Sequence, residues 1–206
     1  MYFIPIGEHC CVAWGLRACG LRNAAGPFDW LSCQAEAVVD CILEDFARFL
    51  IDPERADGHS EKSCIKDSYT FQFRHDFPTV TGESSDYTEE GQKFVEKYVA
   101  DGWEDHLHNV RCKYARRIER MRQSLASGGL VVFVKYGFMR YETALRLLDG
   151  MQARFPQTDI RMIAANSGMI SEQQQRIYTS TLIGDEWEGK SWLDILARAK
   201  HAWGIT

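Results

Sequence analysis

Leu130-Val-Val-Phe-Val134, the amphipathic stretch 141–154 and Ile160-Arg-Met-Ile-Ala164 follow one another in the second half of the chain. The two apolar runs have strand length, and the stretch between them repeats its apolar residues at helical spacing. Strand, helix and strand in that order make a β-α-β unit, which predicts parallel pairing. Working outwards, 177–183 predicts a last strand and 192–202 a final helix. At the other end Tyr2–Ile6 (YFIPI) predicts a strand, Gly7 a tight turn, and 10–19 a helix stopped by Gly20.

The middle of the chain is less regular. Ser32 is a candidate N-cap for a helix through Ala35, Val38, Val39, Ile42, Phe46 and Phe49, ending before Pro53. Residues 53–68 are polar and loop-like, and Tyr69–Phe73 alternates like a half-buried strand. A second loop is expected over 79–88, and one broken or two consecutive helices over 89–126, closed by Ser127-Gly128-Gly129. The expected fold is therefore α/β, a single domain over 1–206 with a mostly parallel sheet of about five strands flanked by helices.

Of the 206 residues 45% are hydrophobic and 26% charged, values that exclude disorder and leave no membrane-length apolar run. A net charge of -5 without a basic stripe argues against nucleic acid and against anionic membrane surfaces as partners. The cysteine count is 7, which cannot close into pairs. The opening MYFIPIGEHC has no positive region followed by an apolar run, so a cytoplasmic location with reduced thiols is expected.

In open α/β sheets, ligands bind beyond the carboxyl ends of the strands. Cys10 lies there, at the start of the first predicted helix, where unpaired N–H groups and the helix dipole favour an anion such as a thiolate. Gly7 permits a close backbone approach suited to an oxyanion hole. His75 follows the strand at 69–73 and, in a parallel arrangement, would emerge at the same sheet edge. Asp76, Asp29 or Asn166 would orient its imidazole. Lys135, expected just past a strand end, and Arg117, from the run Arg116, Arg117, Arg120 and Arg122, are candidates for holding a carboxylate or phosphate.

Each candidate competes with a plainer role. Cysteines are commonly buried packing, Phe28, Trp30, Phe71, Phe73 and Phe77 suit a core, and the arginine run suits a solvated helix face. His9, Cys10 and Cys11 sit together, as do His106 and His108, but no C-x-x-C or H-E-x-x-H spacing preorganises a metal site. No P-loop or G-x-G-x-x-G occurs, so neither metal nor cofactor is expected.

The ordered motifs Gly7-Glu8-His9-Cys10-Cys11-Val12-Ala13, Gly26-Pro27-Phe28-Asp29-Trp30 and Arg74-His75-Asp76-Phe77 give the chain a family likeness. It resembles a bacterial domain family of unknown function described as papain-like cysteine peptidases. The resemblance covers most of 3–136 and places the family cysteine on Cys10 and the family histidine on His75. It implies a Cys–His hydrolase, a peptidase or amidase working through an acyl-thioester, although no Q-x-x-x-x-x-C oxyanion signature precedes Cys10. The Gly-x-x-Cys opening is also similar to the start of some capsule-polysaccharide acyltransferases, in which the same pair would modify a surface polysaccharide. The expected partner is a small-molecule, peptide or glycan substrate. A different class of function is a non-catalytic module for an anionic metabolite or glycan, using the helix start with Lys135 or Arg117.

Overall fold

A computed structural model describes residues 1–7, 10–22, 24–56, 64–87, 93–167, 176–181 and 189–205, with side chains excluded over 83–87 and 93–96. In chain order the elements are β1 (Tyr2–Pro5), α1 (Cys11–Ala18), α2 (Ala35–Leu43), β2 (Glu54–Arg55), β3 (Ile65–Lys66) and β4 (Gln72–Phe73). A long pair follows, β5 (Thr79–Tyr87) and β6 (Lys93–Val99), then a 3-10 turn (Trp103–His106) and α3 (Leu107–Ala126). The chain closes with β7 (Leu130–Tyr136), α4 (Tyr141–Arg154), β8 (Asp159–Ala165), β9 (Ile177–Ser180) and α5 (Gly189–Ala202).

The β-α-β unit stands as expected. β7 and β8 pair in parallel from Leu130↔Asp159 to Tyr136↔Ala165, with α4 between them in sequence. β1 joins β7 in parallel on one side and β9 joins β8 on the other, giving the order β1-β7-β8-β9. Among the described residues this parallel sheet has four strands rather than about five. β7 is apolar from Leu130 to Val134 because both faces are covered. Val131 and Phe133 pack with α2, α3 and α4. Val132 and Val134 pack with Cys11, Val12 and Leu16 of α1 and with Trp192 and Ile195 of α5. Gly15 marks the contact of α1 with α5, since a Cβ there would lie 1.9 Å from the Trp192 ring.

Four expectations are corrected. The helix from Ala35 stops at Leu43 instead of running towards Pro53. Asp45 and Phe46 adopt φ values of 53° and 63°, while Phe46 N–H donates to Cys41 O at 2.8 Å and Asp45 N–H to Ile42 O at 3.1 Å. These two bonds form a Schellman end, with an aspartate where glycine is usual. Ser32 is not the cap: Gln34 holds that position, without a side-chain cap bond.

The expected loop at 79–88 and the start of the expected helical region are instead an antiparallel hairpin, β5 with β6, registered from Thr79↔Val99. Its ladder is made by backbone groups, and of its described side chains Val80 is 56% exposed, so no apolar alternation betrays it. The strand ending at Phe73 does not join the parallel sheet. β4 belongs to a separate antiparallel sheet of order β2-β3-β4, and Tyr69, Phe71 and Phe73 are all buried. They pack in an aromatic cluster with Phe28, Phe46, Phe49 and Tyr114. No helix among the described residues is long and apolar enough to cross a membrane.

Candidate active site

The turn after β1 is tightly constrained. Gly7 has φ +67°, and a Cβ there would lie 2.3 Å from Cys33 Sγ and 3.2 Å from Val38 Cγ2. Both the left-handed backbone and the contact require glycine. Cys10 then caps α1 with helical dihedrals, its carbonyl accepting Trp14 N–H at 3.0 Å. Its side chain is half-buried, whereas Cys11 is fully buried in the sheet interface. Of the adjacent pair, only Cys10 combines accessibility with the unpaired N–H groups of the helix start.

His75 sits on a different element from the one expected. Its strand is antiparallel and outside the main sheet, so a shared parallel edge cannot bring it to Cys10. Its segment is attached to the strip Trp30–Cys33. Ser32 forms an isolated antiparallel bridge with Gln72, Ser32 N–H donating to Gln72 O at 3.3 Å and Gln72 N–H to Ser32 O at 2.9 Å. His75 follows in the next turn, exposed, with its ring edge-to-face against Trp30 at 6.4 Å between centroids. Cys33 supports the Gly7 turn and Trp30 faces His75, so one strip carries contacts to both candidate segments.

The carboxylates have separate attachments. Asp29 is 1% exposed, accepts Gly26 N–H on Oδ2 at 2.6 Å and pairs with Arg22. Its Oδ1 has no hydrogen-bond partner among the described residues. Arg22 also donates to Ala13 O at 3.1 Å, tying the PFDW turn to α1. Asp76 turns towards α3, where Oδ1 pairs with Lys113 and Oδ2 accepts the Tyr114 hydroxyl at 2.9 Å. Burial, reinforced by the Asp76 charge, raises the Tyr114 hydroxyl pKa, keeping it a donor at neutral pH.

Lys135 is not past a strand end but inside β7, with 0% exposure, and its Nζ donates to Tyr136 O at 2.5 Å. The strand extends to Tyr136 because its pairing with β8 continues through Tyr136↔Ala165. Asn166 follows β8 as expected, exposed and with φ 52°, its N–H donating to Ser180 O at 2.9 Å. Arg117 is half-buried over the Tyr114 ring, 5.0 Å from its centroid.

Arg22 carries no motif signal, and its role emerges only from the fold. Cys112 is exposed rather than packed, with its sulfur 3.6 Å from His108 Nε2. The i,i+4 spacing of that pair is visible in the sequence. Among the described residues no group of three His, Cys, Asp or Glu side chains could hold a metal. His9 lies outside them.

A half-buried cysteine at the start of a helix beyond a parallel strand is an arrangement suited to a thiol-dependent enzyme. The family model described as "Putative papain-like cysteine peptidase (DUF1796)" matches residues 1–159, and the chain belongs to that family. The curated proteins and the solved structures yield no match.

Proposed function

We propose that the protein is a cysteine-dependent hydrolase of peptide or other amide bonds, with Cys10 as nucleophile and His75 as general base and then acid. The observation that carries this is the Trp30–Cys33 strip, which contacts both the Gly7 turn leading to Cys10 and the turn bearing His75. Membership of a family described as cysteine peptidases supports the same chemistry.

His75 takes the Cys10 thiol proton, and the thiolate attacks the amide carbonyl carbon. Unpaired N–H groups at the start of α1 stabilise the oxyanion, and Gly7 leaves room for the carbonyl to approach. The C–N bond breaks as the imidazolium gives its proton to the leaving amine, leaving an acyl-thioester on Cys10. Water then loses a proton to His75 and attacks the thioester. The C–S bond breaks, the carboxylic acid departs and the thiol is restored. Asp76 is a positioning residue in this scheme, fixing the His75 turn against α3 through Lys113 and Tyr114.

Incubation with p-nitrophenyl acetate, followed by peptide mapping, tests the proposal. Wild type should show a transient acetyl adduct on Cys10 and a burst of nitrophenol, both lost in Cys10→Ser and reduced at least about tenfold in His75→Ala. Absence of an adduct on Cys10, or one that His75→Ala leaves unchanged, would refute it.

A further inference from the structure

A cavity of about 410 Å³ lies beside β1, bounded by that strand, by residues 21, 22 and 24–27 and by α3. Its lining contains neither Cys10 nor His75, so binding there does not depend on the thiol chemistry proposed above. The volume suits a small molecule. Phe3, Leu21 and Met121 give it apolar walls, while Arg22, Arg117 and Arg120 bring three guanidinium groups to it and none of the described lining residues is acidic.

The positive charge is only partly answered. Arg22, with its side chain 7% exposed, pairs with Asp29, but its Nε has no hydrogen-bond partner among the described residues, and neither does Nη1 of Arg117. Arg120 spends one amino group on the carbonyl of Ala25 at 2.8 Å, a neutral acceptor. Burial, with added repulsion from Arg117 and Arg17, lowers the Arg22 pKa to about 10. Buried donors without acceptors are costly, and a bound anion supplies acceptors that a planar guanidinium can grip in pairs.

We propose that this cavity binds a small anionic molecule, an apolar body bearing a carboxylate or a phosphate, held by Arg22, Arg117 and Arg120. Calorimetric titration of the full chain with phenyl phosphate and, separately, with benzoate at fixed ionic strength tests this and distinguishes the two headgroups. At least one probe should bind saturably at one site per chain, and its affinity should fall at least about tenfold in Arg117→Gln and in Arg120→Gln. Cys10→Ser should bind as wild type. Melting curves check the fold of each variant. If Arg117→Gln unfolds, the exposed Arg120 decides the outcome. No saturable binding of either probe, or binding unchanged by the substitutions that fold, would overturn the proposal.

Discussion

Burial separates the thiols at the residue scale. Cys11, Cys33, Cys41 and Cys64 are buried, Cys10 and Cys19 are half-buried and Cys112 is exposed. Burial also raises the Cys41 thiol pKa, which suppresses its thiolate. Alkylation of the native protein by iodoacetamide near neutral pH should therefore modify Cys10 and Cys112 and spare the other five, Cys19 because burial raises its thiol pKa and its Sγ donates to Gly189 O at 2.9 Å, read by peptide mass spectrometry. Asp67 makes a different prediction. Its buried carboxylate accepts the N–H groups of Leu50, Tyr69 and Phe71 at 3.0, 3.0 and 3.1 Å. Asp67→Ala leaves three donors unanswered and should cost about 2–4 kcal/mol in urea unfolding. Burial raises the folded pKa of Asp67 despite those bonds. Its contribution is then fully present below the unfolded value of about 3.9 and declines as pH rises through the folded value, so the cost of Asp67→Ala should be greater at pH 4 than at pH 7.

Glycines set the spacing between elements at two contacts. At Gly7 an alanine meets both an unfavourable φ and the Cys33 sulfur. Gly7→Ala should destabilise by about 2–4 kcal/mol, and adding Cys33→Ala should recover only the part due to overlap. Because this turn carries Cys10, labelling of Cys10 should also slow while that of Cys112 does not. The same elements explain what was legible beforehand. β7, α4 and β8 were readable because their burial is written into local periodicity. The end of α2 was hidden because Asp45, not glycine, takes the left-handed position. The hairpin β5–β6 was hidden because its pairing is between backbones. Gly7 and Cys10 were readable as a local turn and helix start, but the anchoring of the segment before His75 depends on the Ser32–Gln72 bridge, a contact between distant segments with no pattern of its own.

On the scale of the whole molecule, the second face of the sheet depends on the C-terminal part of the chain. β8 supplies the partner of β7, and α5 covers Val132 and Val134 with Trp192 and Ile195. A chain ending at Thr158 keeps Cys10 and His75 but loses that strand and that cover. It should lack a cooperative thermal transition and bind a hydrophobic dye, as expected when an apolar sheet face is exposed. The separation between the Cys10 region and the arginine-lined cavity has a similar consequence, since each can be tested in a variant that leaves the other intact. The central claim concerns the first of these regions, and the most direct measurement compares iodoacetamide labelling rates of Cys10 in wild type and His75→Ala, with Cys112 in the same molecules as internal reference. The account predicts that Cys10 reacts faster than Cys112 in wild type and loses that advantage in His75→Ala. Equal rates at the two thiols, or an advantage of Cys10 that survives His75→Ala, would contradict it.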